Sequence, residues 1–174
     1  METKIIISGF GGQGVLSLGK MICLVADKAG KYVSFFPSYG GEQRGGTCRC
    51  TVVLSEKPIG SPIVTAANYV MIMNLPSYVK YKDSVLPGGL LMVNSSQVKE
   101  AETDGKSICI EVDRIADEAG NRIAANMVML GAFTRKTGFA PVETVEEIIA
   151  ESLSAKPEYL ESNLAAFRLG LESL

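Results

Sequence analysis

Two glycine-rich stretches hold the residues of this sequence that could take part in chemistry. In the first, Gly9, Gly11 and Gly14 have the spacing G-x-G-x-x-G, after three isoleucines and before an apolar pattern of helical period. A glycine turn between a strand and a helix permits close backbone approach, and the helix then presents free N–H groups to an anion. The sequence leaves open whether this turn receives a phosphate or only packs closely against another backbone.

The second stretch, residues 36–46, places one acidic and one basic side chain among four glycines. Glu42 and Arg44 are the charged pair. An arginine offers carboxylate or phosphate a planar, permanently charged fork, and the flanking glycines let a ligand or a partner chain approach it. A solvated or self-paired surface loop explains the same residues equally well, so both interpretations stay open at this point.

The absence of histidine excludes several kinds of catalytic site. The 174 residues contain no His, which removes Ser-His-Asp and Cys-His catalysis and every His-ligated metal site. The cysteines also lack the C-x-x-C spacing of iron–sulfur and zinc sites; they are Cys23, Cys48, Cys50 and Cys109. We therefore assign no catalytic residue and no metal-ligand set to this sequence.

Composition indicates an ordinary globular protein of one domain. Hydrophobic residues make up 47% and charged residues 21%, with a net charge of -2, so no basic surface for nucleic acid is evident. Prolines interrupt the long uncharged run of residues 58–79, which argues against a membrane-spanning helix there. Scattered cysteines without a signal-peptide pattern favour a reducing interior, and we expect a cytoplasmic location.

Alternating periodicities predict an α/β fold. Strands are predicted at residues 5–7, 31–36, 47–54, 69–73, 90–93 and 107–112, and helices at residues 15–30, 77–83, 113–120, 123–136, from 144 and from 160. We expect Asp113 to cap its helix, residues 144–147 to form a capping box, and residues 87–89 to form a turn. This order predicts a Rossmann-like three-layer sandwich with a mostly parallel sheet in a single domain.

The C-x-C pair lies in the predicted strand at residues 47–54. Strict alternation puts Cys48 and Cys50 on one face together with Val52 and Leu54. Two small apolar side chains on a buried strand face are the simplest explanation of this pair, and we favour it over a redox or metal-binding role.

The sequence lacks one feature of a dinucleotide site. An NAD-binding unit places an acid about 20 residues after its glycines, at the end of the second strand. Here that strand ends Ser34-Phe35-Phe36-Pro37, and Asp27 lies inside the predicted helix. A free-standing dinucleotide-binding protein is therefore kept only as an alternative interpretation. A structural or interaction module without a ligand is a second alternative.

Taken together, the two glycine-rich motifs resemble a known family. The combination of G-F-G-G-Q-G at residues 9–14 with P-S-Y-G-G-E-Q-R-G-G-T at residues 37–47 resembles the gamma subunit of 2-oxoacid:ferredoxin oxidoreductases. Residues 58–63, 87–96 and 126–131 are similar as well, so the likeness spans one gamma-type domain over residues 1–174. It is greatest to the 2-oxoglutarate and branched-chain 2-oxoacid members. One departure is Gly41, where relatives often carry proline or alanine.

The resemblance implies a multisubunit enzyme that decarboxylates a 2-oxoacid oxidatively on thiamine diphosphate. Electrons would pass through iron–sulfur clusters to ferredoxin, and an acyl-CoA would be released. This chain would hold no cofactor alone, with thiamine diphosphate, magnesium, the clusters and CoA belonging to the whole complex. Its partners would be alpha and beta subunits, with a ferredoxin-like delta subunit as a further candidate and ferredoxin as an indirect partner.

The resemblance also implies which residues form the wall of the shared site. Both loops are expected at the carboxyl ends of their strands, where α/β sheets present ligands. The residues expected nearest the cofactor or CoA are Gly11, Gly12, Gln13, Gly14, Glu42, Arg44, Gly45 and Gly46.

Overall fold

A computed structural model of the chain describes residues 2–39, 47–103 and 107–174. Its strands are β1 Thr3–Phe10, β2 Tyr32–Tyr39, β3 Thr47–Ser55, β4 Ala67–Ile72, β5 Val85–Asn94 and β6 Ser107–Ile110. Its α-helices are α1 Val15–Lys28, α2 Leu75–Tyr81, α3 Val112–Glu118, α4 Ala125–Thr137, α5 Val142–Ser152 and α6 Leu160–Glu172. Each strand and helix predicted from the periodicities has a counterpart among these elements.

The strands form one sheet in the order β2-β3-β1-β4-β5-β6. The ladders joining β1, β4, β5 and β6 are parallel, whereas β3 is antiparallel to both β1 and β2. It follows that β2 runs in the same direction as β1, and β3 alone runs the opposite way. The predicted α/β architecture with a mostly parallel sheet is confirmed.

Apolar side chains cover both faces of the sheet, as the isoleucines of β1 illustrate. Ile5 and Ile7 join the larger core, which includes buried residues of α1 and α3–α6, whereas Ile6 points into a smaller core beneath α2. Successive strand residues point to opposite faces, so a run of three isoleucines is expected where both faces are covered. The core on the α2 side is the smaller one, and α2 itself has only seven residues.

Helices α4 and α6 cross at backbone contact. A Cβ atom built on Gly131 would lie 2.1 Å from the carbonyl oxygen of Phe167, and one built on Gly170 would lie 2.2 Å from that of Val128. No real Cβ atom tolerates such distances, so glycine is required at both positions. This approach lets α4, whose residues 126–134 are all buried, sit beneath α6.

The C-terminal end of α1 matches the prediction. Gly30 adopts φ +77°, the amide of Lys31 donates to the carbonyl of Ala26 at 3.1 Å, and the amide of Gly30 donates to that of Asp27 at 2.8 Å. This is a Schellman arrangement with Gly30 at the left-handed position.

Three local predictions were wrong. Helix α3 starts one residue before Asp113, whose carboxylate instead accepts a hydrogen bond from Asn94 Nδ2 at 2.9 Å. Helix α5 starts directly after Pro141, so Thr144 is already helical and forms no capping box. Residues 87–89 do not reverse the chain direction but belong to β5. The pairing of β5 with β4 is irregular there, like a β-bulge, and Gly88 has a positive φ.

The C-x-C pair is a packing feature, as predicted. Cys48 and Cys50 are buried in the larger core with Val52 and Leu54. Burial raises the pKa of Cys50 to about 12, and burial together with the nearby Asp27 carboxylate raises the pKa of Cys23 to about 12. Both thiols are therefore protonated at neutral pH, which suppresses nucleophilic and metal-binding chemistry.

We predict that iodoacetamide at pH 8 leaves Cys23 and Cys50 unmodified in the native protein, because only the thiolate reacts. Peptide mass spectrometry of the native and the urea-unfolded chain measures this directly, with complete modification of the unfolded chain as the control. Rapid native modification of Cys50 would contradict the assigned burial.

The same burial gives stability a pH dependence. The folded-state pKa values of Cys23 and Cys50 are raised, so the unfolded thiols lose their protons first as the pH rises from 9 toward 12. The native state then binds more protons than the unfolded state, and the free energy of unfolding falls across this range. We expect Cys50→Ala to make this fall less steep.

Among the residues that the structure describes, no helix combines the length and the apolar character needed to cross a lipid bilayer.

Candidate functional site at the carboxyl edge of the sheet

The glycine turn and the two strand ends that border residues 40–46 lie at the same edge of the sheet. The glycine turn follows Phe10 at the carboxyl end of β1, as expected, and Phe10 pairs with Thr47, the first residue of β3. Tyr39, the last residue of β2, pairs with Cys48. Thr47 therefore lies beside the glycine turn, and Tyr39 lies one strand further away on the same side. Four of the predicted site residues lie outside the described residues: Glu42, Arg44, Gly45 and Gly46.

The glycine turn depends on two left-handed backbone conformations. Gly12 has φ +97° and Gly14 has φ +72°, and helix α1 starts at the next residue. The amide of Gln13 donates to the carbonyl of Phe10 at 3.2 Å and thereby closes the turn. Gly11 and Gly12 are exposed and meet no neighbouring atoms where a Cβ would stand, so backbone lies open to an approaching group.

The Gln13 side chain fastens the turn to the end of β4. Its Oε1 accepts hydrogen bonds from the amide of Phe10 at 2.7 Å and from Asn74 Nδ2 at 3.3 Å. Its Nε2 donates to the carbonyl of Met73 at 3.1 Å. These bonds give Gln13 a positioning role, and its direct contact with a cofactor stays a prediction.

Two asparagines that sequence reasoning did not single out complete this arrangement. Asn126 at the start of α4 lies against the turn, and its Nδ2 donates to the carbonyl of Gly14 at 3.4 Å. Asn74 is buried, and its Oδ1 accepts from the amide of Ser77 at 2.9 Å, which caps α2. The role of Asn74 could have been suspected from its position in the sequence, directly after an apolar run. Asn126 contacts a residue 112 positions away, so no local sequence pattern indicates its role.

The sheet order disfavours a dinucleotide site of the usual kind. In the Rossmann pattern the strand beside β1 carries the ribose-binding acid at its carboxyl end. Here antiparallel β3 occupies that place, and β2 is one strand further away, about 10 Å from β1. Asp27 lies within α1, as predicted. The free-standing dinucleotide-binding alternative therefore lacks geometric support.

The cysteines do not fit an iron–sulfur cluster. Cys23, Cys48 and Cys50 pack in the core between α1 and β3, whereas Cys109 lies on β6 at the far edge of the sheet. Across residues 2–39, 47–103 and 107–174, no group of three or more His, Cys, Asp or Glu side chains is placed to share a metal ion.

A mostly parallel sheet with a glycine turn at the carboxyl end of β1 places the chain among Rossmann-like α/β domains. Residues 4–173 match the family described as "Pyruvate ferredoxin/flavodoxin oxidoreductase", and the chain belongs to this family. The match confirms the resemblance drawn from the two glycine-rich motifs.

Two relatives differ in how much of their length the chain matches. The 2-oxoglutarate synthase subunit KorC of Methanocaldococcus jannaschii is 37% identical over 180 residues, covering 99% of this chain and 94% of that protein. The ketoisovalerate oxidoreductase subunit VorA of Methanothermobacter thermautotrophicus is 35% identical over 173 residues, covering 98% of this chain and 36% of that protein. The chain thus spans about a third of the VorA sequence but nearly all of KorC.

Two solved structures likewise differ in how much of their chain is matched by this one. The gamma subunit of a keto/oxoacid ferredoxin oxidoreductase from Geobacter sulfurreducens superposes with a TM-score of 0.82 at 29% identity, over 98% of this chain and 97% of that one. The 2-oxoglutarate:ferredoxin oxidoreductase of Magnetococcus marinus, solved with 2-oxoglutarate, coenzyme A and succinyl-CoA, superposes with a TM-score of 0.87 at 25% identity. That match covers 98% of this chain and 30% of the other.

Proposed function

We propose that this chain is a non-autonomous, gamma-type subunit of a cytoplasmic 2-oxoacid:ferredoxin oxidoreductase. The complex would convert a 2-oxoacid of the 2-oxoglutarate or branched-chain type to an acyl-CoA and pass the electrons to ferredoxin. The observation that carries this proposal is the alignment with KorC over nearly the full length of both chains. The names of the relatives support the substrate class, and the four free cysteines are in keeping with a reducing interior.

In this proposal the chain contributes shaped backbone. Thiamine diphosphate, when bound in the complex, supplies stabilisation of the carbanion left by decarboxylation, and its magnesium and the clusters belong to the alpha, beta and ferredoxin-like delta partners. The open backbone at Gly11 and Gly12 and the free N–H groups at the start of α1 face the carboxyl edge of the sheet. They would form the part of the wall nearest the cofactor or CoA, with Gln13 and Asn126 holding the turn in place.

Loop 40–46 completes the proposed wall. Of its anchors, Thr47 lies beside the glycine turn through the β1–β3 ladder, and Tyr39 lies one strand further away through the β2–β3 ladder. Arg44 is the residue in it best suited to an anionic group, because its guanidinium keeps its charge and offers two parallel donors. The structure does not describe its side chain, so this role is argued from residue type and from the position of the anchors.

Reconstitution of the complex from separately expressed subunits tests the proposal. The isolated chain should show no 2-oxoacid oxidation, whereas the complete complex should reduce ferredoxin and form acyl-CoA. Arg44→Ala should lower turnover at least tenfold without preventing assembly, and Arg135→Ala, at an exposed site in the last turn of α4, serves as the matched control.

Three results would contradict parts of the proposal. Wild-type turnover by the Arg44→Ala complex would remove the role of that residue. Replacement of both loops without loss of rate in an intact complex would reduce the chain to an interaction module. Oxidation of a keto acid by the chain alone would overturn the non-autonomous role.

A further inference from the structure

One face of β2 exposes aromatic side chains that none of the described helices covers. Phe35 points toward α1, where its ring would meet a Cβ on Gly19 at 2.9 Å. Because strand residues alternate, Tyr32 and Phe36 point to the opposite face, and they are 52% and 49% exposed. Burial of such rings by a partner would be worth about 1 kcal/mol or more each, on the order of 25 cal/mol per Å² of apolar area.

A neighbouring loop adds to this face. Phe36 pairs with Thr51 of β3, and Thr51 Oγ1 lies 3.5 Å from the carbonyl oxygen of Pro62. The next residue, Ile63, is 69% exposed. The loop therefore carries a further exposed apolar side chain on the same face of the sheet as Phe36.

Helix α2 presents apolar side chains to solvent on the same side of the sheet. Tyr78 and Tyr81 turn inward to the smaller core, whereas Leu75 and Val79, four residues apart on one stripe, turn outward. Val79 is 68% exposed. Helix α2 therefore adds two exposed apolar side chains to this side of the sheet.

Arg49 joins the two exposed regions. It pairs with Ser38 of β2 across the ladder, and its guanidinium carbon lies 5.4 Å from the centre of the Tyr81 ring of α2. The two regions thus border one another, and we name them the β2–α2 surface; its apolar residues are Tyr32, Phe36, Ile63, Leu75 and Val79.

Cations on this surface are not neutralised within the described part of the chain. Arg49 and Lys80 stack on Tyr81, Lys82 stacks on Tyr78, and none of the three forms an ion pair with a described carboxylate. Elsewhere, Lys28 and Arg168 pair with glutamates. A partner that covers the surface must therefore offer apolar contacts together with carboxylates.

A second copy of this chain does not meet that requirement. In a two-fold dimer through the β2–α2 surface, each patch would face its own equivalent. Both copies would then bring the same three cations, Arg49, Lys80 and Lys82, to the contact. Like charges brought together in this way cost several kcal/mol, which disfavours self-association.

The longer relatives indicate a partner of the right kind. The matched region makes up 36% of the VorA chain and 30% of the Magnetococcus marinus chain, so in those proteins further polypeptide is tethered to this domain. Tethering keeps two surfaces at a high effective concentration, which favours a lasting contact between them. We therefore take the polypeptide outside the matched region of these relatives as the occupant of the β2–α2 surface.

We propose that the β2–α2 surface docks the polypeptide homologous to the remaining part of the VorA chain, through apolar contacts flanked by carboxylates on that partner. This inference rests on the proposed function, because it names the surface through which the subunit joins its complex. Phe36, Val79 and Ile63 supply the apolar contacts, and Arg49, Lys80 and Lys82 supply the charge.

The probe for the test is that polypeptide from the same organism as this chain, expressed separately, with binding to the full chain followed by biolayer interferometry. We expect Phe36→Glu and Val79→Glu each to weaken the Kd at least tenfold. Leu24→Glu is the matched control, because Leu24 is 47% exposed on α1 across the sheet, and its Kd should stay within twofold of wild type. Glutamate is a good helix former, so Val79→Glu should fold normally.

Charge reversal gives an independent measurement. Lys80→Glu combined with Lys82→Glu should slow association at least fivefold at low salt, and the difference from wild type should shrink as salt is added. An unchanged association rate would contradict the charge complementarity.

Other outcomes separate this inference from the proposed function. A complex that assembles and turns over, with wild-type Kd for folded Val79→Glu and Phe36→Glu, overturns the docking surface and leaves the function in place. If the wild-type chain forms a dimer in sedimentation velocity and Val79→Glu dissociates that dimer, a second copy occupies the surface. That result also overturns the docking proposal. A wild-type chain that binds no such polypeptide and gives no turnover overturns both proposals.

Discussion

Gly131→Ala is expected to lower the free energy of unfolding by about 3 kcal/mol, at the upper end of the range for overpacking. The added Cβ would stand 2.1 Å from the carbonyl oxygen of Phe167 and 2.8 Å from the amide nitrogen of Leu171. Both obstacles are backbone, so relief requires α4 and α6 to move apart. Alanine is favoured over glycine within a helix by about 1 kcal/mol, so a net loss can come only from this contact.

Urea denaturation followed by circular dichroism measures the effect, and Gly60→Ala is the control. Gly60 has open space where a Cβ would stand and no positive φ, so its replacement should be neutral or slightly stabilising. Equal stability of the Gly131→Ala protein and the wild type would mean that the two helices do not meet at backbone distance.

Gly14→Ala is the second substitution with a large expected effect. At φ +72° an alanine is strained by about 1–2 kcal/mol, and its Cβ would lie 2.6 Å from Asn126 Cγ. Strain and clash together should lower the free energy of unfolding by about 3 kcal/mol. In the reconstituted complex of the proposed function, the displaced turn should also reduce turnover at least tenfold.

A double-mutant cycle separates the two causes. Asn126→Gly removes the clashing side chain but leaves the strained φ at residue 14, so Gly14→Ala should cost less in that background. Thermal denaturation of the four proteins measures the coupling. Strictly additive losses would show that Asn126 does not oppose a side chain at residue 14.

Local periodicity was sufficient to predict the elements, because each depends on nearby residues. The isoleucines of β1 and the alternation of β3 report which faces are buried. Pairing between strands depends on distant parts of the chain, and nothing in residues 47–54 indicates that β3 inserts between β1 and β2 in antiparallel direction. The helix starts at Val112 and Val142 were missed for a related reason: Asp113 is engaged by Asn94, and the fixed φ of Pro141 suits a helix start before the expected cap.

The candidate site was predictable in part. The motif located the glycine turn and its place after β1, because strand, turn and helix follow one another in the sequence. The positioning role of Gln13 could not be read from the sequence, since its partners at Met73 and Asn74 lie 60 and 61 residues away. The roles of Glu42, Arg44, Gly45 and Gly46 stay predictions, because these residues lie outside the described ranges.

Asn74 uses a single amide group to serve two elements. Its oxygen holds the first turn of α2 through the Ser77 amide, while its nitrogen reaches the Gln13 side chain that fastens the glycine turn. Reorienting the helix therefore pulls on the turn through one shared residue. If the proposed function holds, we expect substitutions on the solvent side of α2 to alter the glycine turn through Asn74, at a distance from any ligand.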